Sequence, residues 1–215
     1  MTLLNQSLAT GLEAMGLALS EAQRELLIAY VGLLAKWNRA YNLTAVREPQ
    51  EMVVRHLLDS LAVAPYLAQG RDPGDALRVI DVGTGPGLPG IPLAVACPGD
   101  TFFLLDTNGK KTRFLTQAKA ELGLGNVTVI HSRVEAYRPD TPFDVVIARA
   151  FASLSEIASG CSHLLAPRGR VLAMKGARPE AELAALPAGL SAQAIRLTVP
   201  GLEQEQRHLI VISNE

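Results

Sequence analysis

The first third of the chain shows the apolar spacing of helices. Apolar residues recur every three or four positions over residues 26–37, and Ser20 followed by Gln23 matches the capping box that starts a helix. Residues 69–74 form a linker rich in glycine, proline and charge, which is typical of a boundary. The pattern predicts an N-terminal helical extension over residues 1–70.

After the linker, short β-branched or aromatic runs alternate with helical patterns, as expected for βαβ units in a parallel sheet. The predicted strands are 77–82, 101–106, 126–131, 143–148, 169–175, 192–199 and 207–212, and the predicted helices between them are 89–96, 110–122 and 154–165. No helical pattern separates the last two strands, so we expect them to form an antiparallel hairpin. The predicted fold class is α/β, a Rossmann-like and mostly parallel seven-stranded sheet with helices on both faces. It spans residues 71–215 and packs with the extension as one unit.

The most informative segment is residues 77–90, a short apolar run that ends in four glycines. Glycine tolerates positive φ and lets a ligand approach the backbone, and such loops bind cofactors at the carboxyl ends of strands in open α/β sheets. Asp106 lies about 23 residues after Gly83 and ends the second predicted strand. A carboxylate there can accept hydrogen bonds from both hydroxyls of a ribose, so the expected ligand is an adenosine-type nucleoside.

The glycine spacing alone leaves two cofactors open. Gly85, Gly87 and Gly90 fit the G-x-G-x-x-G of dinucleotide sites, whereas Gly83, Gly85 and Gly87 fit the G-x-G-x-G of S-adenosylmethionine enzymes. Pro86, Pro89 and Pro92, in and just after this segment, lack the N–H that a pyrophosphate needs, and the closing hairpin is familiar from methyltransferase sheets rather than dehydrogenase sheets. S-adenosylmethionine is therefore favoured, and a nicotinamide-dependent oxidoreductase is the alternative.

Composition indicates one main domain, because 215 residues that are 48% hydrophobic can bury one substantial core. Neither a signal segment nor a long uninterrupted apolar stretch is evident, so we expect a cytoplasmic protein that does not bind membranes. Cys97 and Cys161 have no histidine or cysteine neighbours at ligand spacing. They are interpreted as buried small side chains, and no metal site is predicted.

The net charge of −1 does not indicate a nucleic-acid binder, but basic residues are concentrated in two stretches, 108–120 and 157–179, that contain no acid. The candidate phosphate-binding residues in these stretches are Lys110, Lys111, Arg113, Arg168, Arg170 and Arg178. If both stretches flank the cofactor site, they can contact the phosphates of an RNA. Ordinary solvated faces are the alternative explanation.

Ten further short motifs are distributed along nearly the whole chain. They are residues 37–38, 41–44, 56–60, 88–90, 105–106, 109–111, 114–115, 133–135, 148–150 and 175–176. Taken together, they resemble the bacterial small-subunit ribosomal RNA guanine-N7 methyltransferases, also called glucose-inhibited division protein B. Members of this family often have serine at Ala148 and arginine at Lys111, and neither difference removes a charge.

The resemblance implies an S-adenosylmethionine site whose members are Gly83, Gly85, Leu88, Asp106, Val134, Glu135 and Arg149. In such a site the backbone N–H of Val134 bonds an adenine edge and Glu135 accepts the adenine amine. Arg149 meets either the methionine carboxylate or an RNA phosphate. The implied substrate is 16S ribosomal RNA or the small ribosomal subunit, and we expect a monomer.

The chain lacks the sequence motifs of methyltransferases that act on exocyclic amines or on cytosine C5, which favours methylation at N7 of one guanine. Residues 148–151 do not contain the Asp/Asn-Pro-Pro-aromatic run of exocyclic-amine enzymes, and Cys97 lies in the wrong helix to be a C5 nucleophile. Guanine N7 has an in-plane lone pair and no proton, so no catalytic base is expected. A non-catalytic RNA-binding or assembly factor that retains the cofactor pocket is the second alternative.

Three residues of the extension have open roles. His56 is interpreted either as a structural partner of Asp59, which shares a helix face with it, or as a residue near the substrate. Trp37 or Tyr41 can stack on an exposed target base, although packing between the helices and the sheet is the favoured role of Trp37.

Overall fold

The computed structural model describes residues 3–67, 69, 74–149 and 152–214. Its α-helices are α1 (Leu3–Ala14), α2 (Glu21–Tyr41), α3 (Pro49–Met52), α4 (Asp59–Leu61), α5 (Ala64–Leu67), α6 (Gly90–Ala96), α7 (Gly109–Leu122), α8 (Leu154–Cys161) and α9 (Glu180–Ala184). A π-helical turn, Val53–Leu58, joins α3 to α4, and short 3₁₀ turns cover Val134–Ala136 and Ser162–Leu164. No helix in these ranges combines the length and apolar composition that a membrane span requires.

The strands form one seven-stranded sheet. They are β1 (Arg78–Val82), β2 (Thr101–Asp106), β3 (Val127–His131), β4 (Phe143–Arg149), β5 (Leu165–Lys175), β6 (Leu190–Arg196) and β7 (His208–Asn214). Their order is β3-β2-β1-β4-β5-β7-β6. The first five strands pair in parallel, and β7 pairs antiparallel with both β5 and β6. This order confirms the predicted α/β class and the closing hairpin.

The main departure from the predicted elements is at the start of β5. A helix was expected through residue 165, but α8 ends at Cys161 and a 3₁₀ turn leads into β5 at Leu165. The pairing explains the longer strand, because Phe143 pairs with Leu165 while Val145 pairs with Arg170. The residues between these two pairs form an irregularity that local sequence patterns do not encode.

The N-terminal helices pack directly on one face of the sheet. A single apolar cluster contains Leu8 and Leu27 of the extension together with Phe114 of α7 and Ile147 of β4, all fully buried. Each such side chain contributes about 1.5–3 kcal/mol when it leaves water. The predicted boundary between residues 70 and 71 lies outside the described residues.

Helix α2 begins and ends as its sequence suggests. Ser20 and Gln23 form the predicted capping box, and Asn42 ends the helix in the left-handed conformation. The buried Asn38 then shapes the connection to α3, because its amide donates to the Val46 carbonyl and accepts the Thr44 N–H. The mixture of amides and aromatics at the end of α2 is therefore largely structural.

Trp37 has the packing role that was favoured for it. Its ring meets Phe114 of α7 edge-on with centroids 5.7 Å apart and lies 5.3 Å from the ring of Tyr41. Tyr41 itself is 44% exposed, so part of its side chain is open to solvent.

Candidate cofactor and substrate site

The glycine loop follows β1 at the carboxyl edge of the sheet, the edge at which β1 to β5 end. Gly83 donates its N–H to the Leu105 carbonyl at 2.9 Å, which ties the loop to the end of β2. Gly85 has φ +62° and its N–H points to Asp106. This is the left-handed region that favours glycine, and the turn leaves the loop backbone facing the end of β2.

Asp81 lies under the loop and organises it. Its Oδ2 accepts the Thr84 hydroxyl at 2.6 Å and the Gly90 N–H at 2.8 Å, so one carboxylate joins both ends of the loop. A Cβ on Gly90 would overlap Leu104 and lie 2.8 Å from Asp81 Oδ2, which explains this glycine by close packing. Burial raises the pKa of Asp81 to about 6, against the lowering effect of both hydrogen bonds.

Asp106 is only 6% exposed and is already hydrogen-bonded to the protein backbone. Oδ2 accepts the Gly85 N–H at 2.9 Å, and Oδ1 accepts the Asn108 N–H at 2.8 Å. Lys111 Nζ lies 3.9 Å from Oδ2. Each carboxylate oxygen has a second lone pair, so Asp106 can still accept two ribose hydroxyls.

A cavity of about 420 Å³ opens beside Asp106. It is lined by Gly83, Leu105, Asp106, Thr107, Lys111, Arg133, Val134 and Glu135. The volume is in the range of cofactor sites. The residues therefore fit an adenosine moiety, with a fixed carboxylate for the ribose and an exposed carboxylate, Glu135, farther along the wall.

The predicted cofactor residues are not all in this cavity. The residues that line it are Gly83, Asp106, Val134 and Glu135. Gly85 lies next to it, because its N–H donates to the lining residue Asp106. Leu88 lies in the core under the loop, where its side chain is 2% exposed and its N–H bonds the Thr84 carbonyl.

Arg149, at the end of β4, belongs to a network of ion pairs instead. Its Nη1 donates to Asp59 Oδ2 at 3.2 Å and to the Arg55 carbonyl at 3.4 Å. Asp59 Oδ1 accepts Arg207 Nε at 3.0 Å, and Glu205 accepts both Arg207 and Arg55 at 2.8 and 2.7 Å. Local sequence patterns carry no signal for this network, because its members are up to 150 residues apart.

His56 does not pair with Asp59. Its ring is 5% exposed and its Nε2 lies 2.9 Å from the Thr44 hydroxyl. The prediction assumed α-helical spacing, but His56 lies in a π-helical turn, whose wider i→i+5 period changes which side chains share a face. Burial, and then the positive charge of Arg149, lower the pKa of His56 to about 4, so the ring is neutral near pH 7.

Only part of the two basic stretches lies at the carboxyl edge of the sheet. Lys110 and Arg113 are exposed near the start of α7, which follows β2 at the carboxyl edge, and Lys111 lines the cavity beside Asp106. Arg178 is exposed just after β5 ends. Lys175, in the same stretch, is paired with Glu182 at 2.8 Å.

The expectation that the second stretch flanks the cofactor site is wrong for Arg168 and Arg170. Arg170 pairs in register with Val145 near the start of β4, whereas Met174 pairs with Arg149 at its end. The Arg170 guanidinium donates to the carbonyls of Tyr66 and Leu67 at the end of α5, where a cation is favoured by the helix dipole. Both arginines therefore lie toward the opposite edge of the sheet.

Comparison with known proteins connects this site to one family. The family model described as rRNA small subunit methyltransferase G (GidB) matches residues 23–210. Ribosomal RNA small subunit methyltransferase G of Salmonella arizonae is 55% identical over 204 residues, covering 94% of this chain and 95% of that protein. The protein of the same name from Klebsiella pneumoniae is 55% identical over 202 residues, covering 94% of each.

Solved structures agree on the fold at low sequence identity. TrmN from Thermus thermophilus has a TM-score of 0.54 at 20% identity and covers 76% of this chain and 53% of that chain. Precorrin-6y C5,15-methyltransferase from Geobacter metallireducens has a TM-score of 0.54 at 17% identity, covering 82% and 93%. A MtNAS variant in complex with S-adenosylmethionine has a TM-score of 0.58 at 16% identity, covering 87% and 75%.

Proposed function

The chain belongs to the rRNA small subunit methyltransferase G (GidB) family and is an S-adenosylmethionine-dependent methyltransferase of small-subunit ribosomal RNA, and we propose that it methylates N7 of one guanine. The observation that supports the proposal most directly is the arrangement of residues at the carboxyl edge of the sheet. Asp106, the carboxylate that we propose binds the ribose, lies beside the glycine loop and a cavity of about 420 Å³. The sheet order with its antiparallel β7 supports a methyltransferase rather than a dinucleotide-dependent oxidoreductase.

The cofactor is proposed to bind where β1 and β2 end at this edge. We propose that Asp106 accepts both ribose hydroxyls, that the Val134 N–H bonds the adenine edge and that Glu135 accepts the adenine amine. Gly83 and Gly85 expose backbone to the methionine portion, and Leu88 supports their loop from the core. Bound S-adenosylmethionine supplies an electrophilic methyl group, and the residues of the chain supply its orientation.

No residue needs to remove a proton. Guanine N7 presents a lone pair, so the protein contributes alignment, which is worth as much as ~7–11 kcal/mol in well-oriented reactions. His56 is the obvious candidate base, but it is buried and bonded to Thr44. We propose that single-turnover methyl transfer shows no His56 titration between about pH 6 and 8, since its pKa is about 4.

The RNA surface is proposed to lie on the same edge as the cofactor. Lys110, Arg113 and Arg178 are exposed there, and phosphate contacts require accessible cations. Lys111 serves the inner end of this surface beside Asp106. Arg168 and Arg170 are not part of this surface, because they lie toward the other edge.

The target guanine must be unstacked before its N7 reaches the cofactor. Tyr41 is the exposed aromatic residue of the Trp37 pair, so we propose that it stacks on the guanine or a neighbouring base. We further propose that the protein acts as a monomer in the cytoplasm.

Methyl transfer from labelled S-adenosylmethionine tests the function. Naked 16S ribosomal RNA, a precursor particle and the mature small subunit are compared as substrates, and the product is mapped by borohydride and aniline cleavage, which breaks RNA at N7-methylguanine. Cleavage at one guanine supports the proposal. Label on an exocyclic amine contradicts the product, and tight NADH binding without methyl transfer contradicts the reaction.

A further inference from the structure

Asp59 is a buried carboxylate that pairs with two arginines near the carboxyl edge of the sheet. Its side chain is 7% exposed, and each of its oxygens has one guanidinium partner, Arg149 at 3.2 Å and Arg207 at 3.0 Å. Asp59 is the first residue of α4, whereas its partners end β4 and immediately precede β7. One side chain of the helical extension therefore fixes two cations on the sheet.

The ion-pair network as a whole is balanced in charge. Arg55, Arg149 and Arg207 provide three positive charges, and Glu51, Asp59 and Glu205 provide three negative ones. Around Arg149 itself, however, the one carboxylate of Asp59 is shared between Arg149 and Arg207. An anionic group at the carboxyl edge can therefore pair with the donors of Arg149 that Asp59 does not use.

Arg149 retains donors for such a group. Its hydrogen bonds to described residues both come from Nη1, and a guanidinium carries five N–H donors in a fixed plane. Its side chain is 22% exposed, so the remaining donors of Nε and Nη2 can be reached. Because the guanidinium group is planar, holding it at Nη1 also limits the directions in which its other N–H groups can point.

The position of Arg149 is central to the site. Asp81 under the glycine loop pairs in register with Ile147 of β4, two residues before Arg149. Burial is the main influence on the pKa values of Tyr30, His56 and Asp81, and the charge of Arg149 acts on all three. These residues come from α2, the π-helical turn and β1, so the charge of Arg149 acts on three elements that meet near the glycine loop.

We propose that Asp59 is a positioning residue for methyl transfer, which holds the Arg149 guanidinium so that its free donors bind an anionic oxygen group. That group is the methionine carboxylate of the cofactor or a phosphate of the RNA. This inference rests on the proposed function, because that function supplies the RNA substrate. Binding of S-adenosylhomocysteine can nevertheless be measured without methyl transfer, so it tests Asp59 independently.

The test is a double-mutant cycle of Asp59→Asn and Arg149→Gln. Three quantities are measured for each variant: affinity for S-adenosylhomocysteine, affinity for 16S ribosomal RNA, and the single-turnover methyl-transfer rate. Asp144→Asn is the matched control, because Asp144 is near the opposite end of β4 and accepts the Arg78 N–H at 2.8 Å. Thermal unfolding is recorded for all variants.

Asp59→Asn is expected to lower one of the two affinities about tenfold or more, the size of a lost charge-assisted hydrogen bond. Loss of S-adenosylhomocysteine affinity identifies the carboxylate, and loss of RNA affinity identifies the phosphate. In the Arg149→Gln background the same change should have little further effect. A structural role would instead lower stability and give equal losses in both backgrounds.

The proposal is overturned if folded Asp59→Asn keeps both affinities, or if its losses are the same with and without Arg149. Should Asp59→Asn not fold, Asp59→Glu keeps the charge but moves the carboxylate, and wild-type affinities in that variant overturn the proposal. Absence of methyl transfer in the wild type counts against the proposed function, while the S-adenosylhomocysteine arm still judges Asp59.

Discussion

The two halves of the carboxyl edge are built in different ways. On the cofactor half, Asp106 is fixed by backbone N–H groups from its own loop and from the glycine loop, within 21 residues along the chain. On the other half, Arg149 is held by the Asp59 carboxylate and the Arg55 carbonyl, and Asp59 belongs to a network of ion pairs whose members are up to 150 residues apart. The first half is thus held mainly by backbone hydrogen bonds, whereas the second half depends mainly on charged side chains.

This difference affects how each half responds to its surroundings. A preformed cavity reduces the ordering cost of cofactor binding. Ion pairs such as the one between Arg149 and Asp59 are weakened by salt, which screens charges. The comparison predicts that the second half is more sensitive to pH and salt than the first.

The largest expected effect is the pH dependence of stability that His56 introduces. The unfolded chain protonates His56 near its ordinary pKa of about 6.5, but the folded protein does so only near pH 4. Protonation therefore favours unfolding, and the stability present above pH 6.5 falls as the pH drops toward 4. A shift of this size corresponds to roughly 3 kcal/mol at the acid end.

Asp81 acts in the opposite direction and must be separated from His56. Because burial raises its pKa to about 6, the folded protein binds a proton there before the unfolded chain does, and acidification stabilises the fold. Urea unfolding at several pH values should therefore compare wild type with His56→Gln. The difference should change between pH 7 and 4.5, and His163→Gln, at an exposed histidine, is the control. Parallel curves for wild type and His56→Gln would contradict the linkage.

The next effect tests the backbone-anchored half. Asp106→Ala should weaken S-adenosylhomocysteine binding by roughly 1.5–3 kcal/mol, or about 10–150-fold, because a charged acceptor is lost. It should also lower the melting temperature by a few degrees, about 2–4 °C per kcal/mol, since the Gly85 and Asn108 N–H groups lose their acceptor. Asp144→Ala is the control, and unchanged affinity in Asp106→Ala would rule out the ribose role.

A smaller effect is expected where the extension meets the glycine loop. Tyr30 is fully buried and its hydroxyl donates to the Pro86 carbonyl at 2.8 Å. Tyr30→Phe keeps the ring against Phe114 but leaves a buried carbonyl without its donor, which costs about 1–3 kcal/mol. Urea unfolding should show this loss, with a weaker effect on cofactor affinity than Asp106→Ala. Tyr66→Phe in α5 is the matched control, and equal stability of the two variants would mean that the bond does not support the loop.

The sequence predicted the first half of the edge better than the second for a physical reason. The strand, the glycine loop and Asp106 are encoded by local apolar runs and turn residues, so their order and spacing could be read directly. The partners of Arg149 depend on where α4 and the segment before β7 meet in space. The π-helical turn at His56 similarly changed a face assignment that assumed α-helical spacing.

The same reason explains the two outcomes for the basic stretches. Lys110 and Arg113 begin a helix just after a strand, which places them at the carboxyl edge by topology alone. Arg168 and Arg170 were assigned by charge clustering, but the early start of β5 puts them toward the amino edge. Clustering in sequence thus identified a surface only where it coincided with a strand end.

The smallest expected effect uses this contrast between the two edges. Lys110→Glu with Arg113→Glu should weaken binding to 16S ribosomal RNA and make the plot of log affinity against log salt shallower by about 0.7–0.9 for each phosphate that the variant no longer neutralises. Affinity for S-adenosylhomocysteine should not change, because both side chains are exposed outside the cavity. Arg168→Glu reverses an equally exposed charge toward the opposite edge, so it should leave the salt slope unchanged. Equal slopes for all three proteins would show that α7 does not touch the RNA backbone, and a shallower slope for Arg168→Glu alone would place the RNA on the other edge.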